Sequence, residues 1–267
     1  METGQPSRTA WSAARYRAAH QLIEHGAIFQ DPFAVRILGV SPDDLVADAP
    51  RRAMRVFIAA RHRFAEDALA AAVSRGVRQV VVLGAGLDTF AYRNGFEGVR
   101  VIEVDHPDTQ AWKRERLAET GIAIPSSVSY AGVNFEKDTL GDVLTLDGPA
   151  FFIWLGVVPY LTLDGFTATL SYISDLPGNE VVFDYAQSPA TMPPARRAAL
   201  EERAARVAKI GEPWLTYFEP PEIGGLLTGL GFREIEDLGP AHLAARFFNR
   251  HDLPPDTPGG HLLRAVR

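Results

Sequence analysis

The sequence contains no cysteine and no long apolar run. The lack of cysteine excludes disulfides, thiolate catalysis and zinc–sulfur sites within this chain, and it agrees with a reducing compartment. No apolar run reaches the roughly 18 residues that a membrane span needs, and the first residues are too polar for a signal peptide. We therefore expect a soluble, cytoplasmic protein with no membrane partner.

The chain has no excess of positive charge: 33 acidic residues outnumber 27 lysines and arginines, and the net charge is −6. A nucleic-acid partner would need a local basic patch, and the sequence has none. The 267 residues, 46% of them hydrophobic, are enough to bury one sizeable core. These features predict a single α/β domain with appended helices. No metal is expected, and the sequence does not indicate an oligomeric state.

The chain is organised around residues 77–105. The apolar, mainly β-branched run from Val80 to Leu83 predicts a strand that is buried on both faces. Gly84 and Gly86 follow it, and glycine lets the backbone turn tightly and approach a ligand closely. A second apolar run ends at Asp105, 21 positions after Gly84, near the spacing expected for a carboxylate that accepts ribose hydrogen bonds. This pattern predicts half of a nucleotide-binding crevice.

Two kinds of nucleotide remain open at this point. A dinucleotide fingerprint has a third glycine or alanine three positions after the second glycine, and here Thr89 occupies that place. S-adenosylmethionine carries no phosphate and needs only the close backbone approach and the ribose carboxylate, so the pattern favours it over NAD. An ordinary strand-to-loop turn that binds no ligand is the alternative to both.

One set of motifs runs in order through most of the chain. It comprises Asp31-Pro32-Phe33-Ala34, Arg61-His62-Arg63-Phe64, Leu83 to Thr89 followed by Ala91-Tyr92-Arg93, Glu103-Val104-Asp105-His106-Pro107, and Trp154 to Leu161. In these motifs the sequence resembles the leucine carboxyl methyltransferase family of class I S-adenosylmethionine-dependent methyltransferases, in particular its actinobacterial-type O-methyltransferase members.

The resemblance implies a fold. It is a Rossmann-like, doubly wound α/β sheet of seven strands in the order 3-2-1-4-5-7-6, with the last strand antiparallel. A single domain is expected over residues 1–267, with an N-terminal helical cap at 1–76, a core at 77–267 and lid insertions near 185–220.

The resemblance also implies a site for S-adenosyl-L-methionine, with S-adenosyl-L-homocysteine as the product. Arg61 is expected to pair with the methionine carboxylate. Asn134 stands where relatives usually have an aspartate, so a neutral amide would meet the adenine. Leu155 stands where many relatives have a glutamate, so backbone carbonyls would meet the ammonium group. The complete expected cofactor set is Arg61, Gly84, Ala85, Gly86, Asp105, His106, Asn134, Phe135 and Leu155.

Other polar residues are interpreted more simply. The arginines near the start of the chain are expected to be mainly solvated, and the sequence leaves open which of them, if any, contacts the cofactor; they are Arg8, Arg15 and Arg17. The charged run that begins at Lys113 is interpreted as the solvated face of a helix. No catalytic residue is assigned, and the candidates for a general base are His20, His106 and Tyr160.

The expected function is O-methylation of a small-molecule carboxylate, in specialised (natural-product) metabolism. A carboxylate is already ionised near neutral pH and needs no general base, whereas a phenol with a pKa of about 10 would be helped by one. A phenol or hydroxyl acceptor is the first alternative. The second is a protein that binds S-adenosylmethionine without transferring its methyl group, because Asn134 and Leu155 replace two acidic residues. A nicotinamide oxidoreductase is disfavoured by Thr89.

Overall fold

The computed structural model describes residues 7–49, 51–135 and 138–267. The chain divides into two compact units, one ending at Asn134 and the other beginning at Phe135. Within the described ranges, none of the helices combines the length and the apolar character that a membrane span requires.

The first unit starts with helices and continues as alternating strands and helices. Its elements are α1 (Arg8–Ile23), α2 (Ala34–Leu38), α3 (Pro42–Ala47), α4 (Arg52–Ser74), β1 (Gln79–Leu83), α5 (Phe90–Arg93), β2 (Arg100–Asp105), α6 (Pro107–Glu119) and β3 (Val128–Gly132). Strand β2 lies between β1 and β3 and is parallel to both. Every residue of β1 is buried, as expected for a parallel strand covered on both faces.

Local signals in the sequence set the ends of these elements. Helix α4 stops where Gly76 takes a positive φ of 105°. The N–H groups of Gly76 and Val77 donate to the carbonyls of Val73 and Ala72, which closes the last turn and leads directly into β1. Helix α6 begins at Pro107, and the imidazole Nδ1 of His106 accepts from the N–H of Asp108 at 3.3 Å.

The second unit contains four strands and five helices within its described residues. They are α7 (Leu140–Val143), β4 (Ala150–Trp154), α8 (Leu163–Ser174), β5 (Glu180–Ala186), α9 (Pro194–Ala208), α10 (Pro220–Gly229), β6 (Glu234–Leu238), α11 (Pro240–Phe248) and β7 (Gly260–Val266). Two short 3₁₀ helices, at Val158–Tyr160 and Pro189–Thr191, follow β4 and β5. The core of this unit includes an aromatic cluster in which Trp154 stacks on Phe166 at 5.4 Å between ring centroids.

The strands confirm the expected topology. Their order in the sheet is β3-β2-β1-β4-β5-β7-β6. Strand β4 is parallel to β5, and β7 lies antiparallel between β5 and β6. This is the doubly wound sheet of seven strands with an antiparallel last strand that the sequence predicts. The boundaries of the helical cap, the core and the lid insertions stay predictions.

Candidate functional site

The glycine turn and Asp105 meet at the carboxyl ends of β1 and β2. Gly84 and Gly86 have φ values of 61° and 43°, a region that glycine enters without steric cost. The two carboxylate oxygens of Asp105 accept from the N–H of Gly86 at 2.5 Å and from the N–H of His106 at 2.6 Å. Ala85 donates its own N–H to the carbonyl of Val104 at 3.1 Å. The structure therefore brings together Gly84, Ala85, Gly86, Asp105 and His106.

Burial raises the pKa of Asp105, and the two backbone N–H groups oppose that rise. A carboxylate has about four lone-pair sites, so two remain for a ligand after the backbone bonds are made. An ionised Asp105 at this position can accept from a pair of neighbouring hydroxyl groups, as a ribose presents them.

Helix α1 covers the turn. A Cβ atom added to Gly86 would lie 3.0 Å from the Cβ of Ala10 on this helix, closer than side chains normally pack. A larger residue at Gly86 would displace α1 in addition to straining the backbone. The packing of α1 against the turn therefore requires a glycine at this position.

Arg17 of α1 is not a solvated arginine, contrary to the expectation from the sequence. Its side chain is 3% exposed and forms an ion pair with Asp31, Nε to Oδ2, at 2.7 Å. Its Nη2 donates to the carbonyl of Leu87, inside the glycine turn, at 2.6 Å. The guanidinium can be buried because the carboxylate of Asp31 and the carbonyl of Leu87 accept its hydrogen bonds. Arg15, in contrast, pairs with Asp48 at the exposed surface, as a solvated arginine does.

A buried charge network continues from this pair. The hydroxyl of Thr89 donates to Asp31 at 2.6 Å, and Arg93 donates from Nε to the hydroxyl of Thr89 at 3.2 Å. Arg93 also forms a two-pronged pair with Glu66 at 2.9 and 2.5 Å. Thr89, the residue that departs from the dinucleotide fingerprint, is therefore part of the support beneath the turn.

Arg61 and His62 lie next to each other on α4, and both are buried. The Nδ1 of His62 is 3.4 Å from Oδ2 of Asp88, and its ring stacks on Phe29. Burial lowers the pKa of His62 well below its usual value, so the imidazole is neutral near pH 7. Its Nε2 is a buried atom with no hydrogen-bond partner among the described residues.

Two of the three expected candidates for a general base, His20 and His106, form structural contacts. His20 is fully buried in α1, where burial lowers its pKa, and Nε2 accepts from the N–H of Ile28 at 3.4 Å. His106 caps α6 through its Nδ1. Tyr160 belongs to the 3₁₀ helix that follows β4 in the second unit.

Lys113 is also buried, although the charged run that begins with it was expected to be the solvated face of a helix. Its side chain is 1% exposed, and Nζ lies 2.8 and 2.9 Å from the two carboxylate oxygens of Glu103 on β2. The hydroxyl of Tyr92 donates to the same carboxylate at 2.8 Å. Lys113 thus points into the protein beneath β2, because a buried carboxylate is there to pair with it.

The remaining expected cofactor residues follow β3 and β4. Asn134 is half-buried at the end of the first unit, whereas Phe135 and Leu155 are half-buried residues of the second. Their contacts with a cofactor stay predictions. Among the described residues, no group of three or more histidine, aspartate or glutamate side chains could hold a metal ion.

Sequence reasoning missed a cluster in the second unit. The Nδ1 of His261 lies 2.8 Å from Oδ1 of Asp237, and the hydroxyl of Tyr185 donates to Oδ2 of the same carboxylate at 2.6 Å. Asp237 and His261 are 24 positions apart on different strands. No local spacing indicates that they meet.

Comparisons with known proteins agree on one family. The family model described as leucine carboxyl methyltransferase matches residues 10–174. YktD of Bacillus subtilis (strain 168), provisionally named an S-adenosyl-L-methionine-dependent methyltransferase, is 33% identical over 220 residues, which cover 78% of this chain and 71% of YktD. SCO7813 of Streptomyces coelicolor, provisionally named in the same way, is 38% identical over 194 residues, which cover 66% of this chain and 68% of that protein.

A solved structure supports the fold. Magnesium protoporphyrin IX methyltransferase from Synechocystis PCC 6803, solved with bound SAH, superposes with a TM-score of 0.51. The superposition covers 96% of this chain and 99% of that one, at 13% identity. At this identity the likeness concerns the fold alone.

Proposed function

The chain belongs to the leucine carboxyl methyltransferase family and is an S-adenosyl-L-methionine-dependent methyltransferase, and from this premise we propose that it methylates an oxygen of a small-molecule carboxylate. The family model, by its description, concerns carboxyl methylation. A carboxylate also suits a protein in which two of the three expected base candidates, His20 and His106, are engaged in structural contacts. We further propose that the product belongs to specialised metabolism.

The residues of the first unit fit the cofactor. The observation that carries this assignment is the carboxylate of Asp105, held by the N–H groups of Gly86 and His106 with two acceptor sites left for ribose hydroxyls. Arg61 is buried on α4, and a guanidinium can bind a carboxylate with two parallel hydrogen bonds. We assign the methionine carboxylate of the cofactor to Arg61.

The other cofactor assignments follow the family pattern. We propose that Gly84 and Ala85 let the backbone approach the ligand, and that the amide of Asn134 meets the adenine. Phe135 and Leu155 are proposed as apolar neighbours of the adenine and of the methionine end. Because Leu155 has no acidic side chain, we propose that backbone carbonyls accept hydrogen bonds from the ammonium group of the cofactor.

The chemistry needs little from the protein beyond position. The bound cofactor supplies a methyl group on a sulfonium, which is an electrophile. Residues of the chain hold the acceptor oxygen in line with that methyl group, and such alignment can account for about 7–11 kcal/mol of the barrier. An ionised carboxylate attacks without losing a proton, so no base is required for this acceptor.

A hydroxyl acceptor is the second candidate. The observation that favours it is the pair of His261 and Asp237, which has the arrangement of a base held by a carboxylate.

The test is product analysis. The purified protein is incubated with S-adenosyl-L-methionine and a panel of small aromatic and aliphatic carboxylic acids, and formation of S-adenosyl-L-homocysteine is followed. Methyl esters release methanol in mild alkali, whereas methyl ethers do not. Alkali-labile methylation of at least one acid supports the proposal. Cofactor binding without any ester formation across the panel would contradict it and would favour a protein that binds S-adenosyl-L-methionine without methyl transfer.

A further inference from the structure

The side chains of His62 and Asp88 meet next to the residues assigned to the cofactor in the first unit. His62 follows Arg61 directly on α4, and Asp88 lies two positions after Gly86 in the glycine turn. The Nδ1 atom of His62 is 3.4 Å from Oδ2 of Asp88. This pair therefore connects the helix that carries Arg61, assigned to the methionine carboxylate, with the turn assigned to the ribose.

The carboxylate of Asp88 can accept more hydrogen bonds than these neighbours use. Its Oδ1 accepts from the N–H of Phe90 at 2.6 Å. The 3.4 Å from Oδ2 to the imidazole of His62 is longer than the roughly 2.7–2.9 Å of a charge-assisted hydrogen bond. A carboxylate has about four lone-pair sites, so Oδ2 can accept from a further donor. The side chain of Asp88 is 12% exposed, so a bound molecule can reach part of it.

Asp88 is ionised near pH 7, whereas His62 is neutral. Burial raises the pKa of Asp88, but nearby positive charges, among them Arg17 and Arg93, outweigh burial and hold the pKa below its ordinary value. Burial lowers the pKa of His62 well below its usual value. The imidazole therefore brings no positive charge to Oδ2, and a cationic group of a ligand can still gain from the charge of Asp88.

A second acceptor atom belongs to the same pair. Because Nδ1 of the neutral imidazole faces the carboxylate, Nδ1 carries the hydrogen and the lone pair is on Nε2. This Nε2 atom is buried and has no hydrogen-bond partner among the described residues. Buried polar atoms without a partner are rare in folded proteins, and each calls for an explanation. The His62–Asp88 pair presents acceptors, and the group that complements it is a donor with a positive charge.

We propose that Asp88 binds the ammonium group of S-adenosyl-L-methionine and that His62 positions the carboxylate of Asp88. The inference rests on the proposed function, because it adds residues to the cofactor site of that enzyme. The ammonium and carboxylate groups of the cofactor are attached to one carbon atom, so the residues that bind them must be neighbours, as Arg61 and the His62–Asp88 pair are. Asp88 supplies the acidic side chain that is missing at Leu155. An ammonium group has three N–H donors, so the others stay available to backbone carbonyls.

Two ligands that differ only in the amino group test this assignment. S-adenosyl-L-homocysteine carries both the amino group and the carboxylate, and its deaminated analogue, with hydrogen in place of the amino group, keeps the carboxylate alone. Isothermal titration calorimetry measures the affinity of each. A hydrogen bond to a charged group is strong enough to change Kd by about 10- to 150-fold, and we expect the native protein to bind the analogue more weakly by this factor.

Asp88→Asn removes the charge but keeps an oxygen that can accept from the N–H of Phe90. Binding of S-adenosyl-L-homocysteine should weaken by about 10- to 150-fold, and binding of the deaminated analogue by less than about threefold. Asp43→Asn, the same chemical change at an exposed side chain, is the matched control and should leave both affinities unchanged. Arg61→Ala should weaken both ligands alike, because both keep the carboxylate.

His62→Gln tests the positioning role. Glutamine is neutral, as the imidazole is, but it lacks the ring that stacks on Phe29 with 5.3 Å between centroids, so Asp88 loses a fixed neighbour. S-adenosyl-L-homocysteine should bind more weakly, by a smaller factor than in Asp88→Asn, and the deaminated analogue should be nearly unaffected. A histidine that only stabilises the fold would lower the melting temperature and affect both ligands equally.

Each outcome decides the proposal. Equal affinities of the native protein for the two ligands would overturn it, and this result needs no variant. Equal losses of both ligands in Asp88→Asn, or no loss of either, would assign Asp88 to the turn alone. Melting temperatures show which variants fold. If Asp88→Asn does not fold, the native comparison and His62→Gln decide, and equal losses in His62→Gln refute the proposal. Failure of the proposed function is different, because the affinities then follow these expectations while no ester forms across the acid panel.

Discussion

Replacing Asp105 by asparagine is the most direct way to test the cofactor site. In the structure, both carboxylate oxygens of Asp105 are used, one by the N–H of Gly86 at 2.5 Å and one by the N–H of His106 at 2.6 Å. An amide has only one oxygen. Asp105→Asn therefore places an NH₂ group against one of these two donors and removes the negative charge that ribose hydroxyls would meet.

The expected size of the effect follows from these bonds. A hydrogen bond to a charged group contributes about 1.5–3 kcal/mol, and every 1.4 kcal/mol corresponds to about a tenfold change in Kd. Loss of one such bond to the ribose should weaken binding of S-adenosyl-L-methionine by about 10- to 150-fold. The lost backbone contact at the glycine turn acts in the same direction.

Isothermal titration calorimetry with S-adenosyl-L-methionine and with S-adenosyl-L-homocysteine measures this loss. Asp43→Asn is the matched control, because it is the same chemical change at an exposed side chain outside the glycine turn. Because burial raises the pKa of Asp105, the native protein should also lose affinity on acidification at a higher pH than an ordinary aspartate would cause. The protonated carboxyl has lost its charge and one acceptor site.

One result would refute the reasoning. If folded Asp105→Asn binds both ligands as tightly as Asp43→Asn does, the carboxylate only organises the turn, and the ribose is bound elsewhere.

Three other perturbations have defined outcomes. Arg61→Ala should weaken S-adenosyl-L-methionine by about 10- to 100-fold in calorimetry and leave methylthioadenosine nearly unaffected, since the latter lacks the carboxylate; equal losses would assign Arg61 to the fold or to the adenosine pocket. Lys113→Met leaves the buried Glu103 without its cation and should lower the free energy of unfolding in urea by about 3–5 kcal/mol, and adding Glu103→Gln should restore part of it; a loss below about 1 kcal/mol would contradict the buried pair. Burial lowers the pKa of His62, so below a pH of about 6.5 the unfolded chain takes up a proton that the folded chain does not. The free energy of unfolding should therefore decrease as the pH is lowered below this value. His62→Gln should reduce this pH dependence and exposed His251→Gln should not, and an unchanged slope in His62→Gln would mean that His62 is protonated in the fold.

Local patterns were sufficient to predict the strands and the glycine turn. The run from Val80 to Leu83 lies within β1, and the apolar run that ends at Asp105 contains β2. Strand β1 is buried on both faces, so its sequence includes a continuous apolar run that can be recognised without knowledge of the rest of the chain. The turn at Gly84 and Gly86 could be predicted in the same way, because a positive φ is a local property of the backbone that favours glycine.

Charged residues were less predictable, because their burial depends on a partner that folding brings close. Lys113 sits in a charged run, and its partner Glu103 is on a different element, 10 positions earlier. Arg17 pairs with Asp31, 14 positions away, and with the carbonyl of Leu87, 70 positions away. Helical periodicity gives the face on which a side chain lies, but it does not reveal a buried partner for that face.

The contacts of Asp237 with Tyr185 and His261 had no sequence signal for a related reason. The three residues are on three strands, and only the antiparallel insertion of β7 between β5 and β6 aligns them. The order of these strands was expected from the family resemblance, but the register was not. A register shifted by one residue would place His261 on the opposite face of the sheet.

The hydrogen bonds beneath the glycine turn explain how a glycine-rich segment can form an ordered turn. Glycine lowers the steric cost of the turn but raises the entropy that must be lost when the turn becomes ordered. Four consecutive residues of the turn are each held by a hydrogen bond: Gly86 N–H to Asp105, Leu87 carbonyl to Arg17, Asp88 carboxylate to the N–H of Phe90, and Thr89 hydroxyl to Asp31. Two of these anchors come from Arg17 and Asp31, which are themselves a buried ion pair. Helix α1 is therefore part of the turn's structure and not only a cover over it, and the ordering cost is met during folding, before a ligand binds.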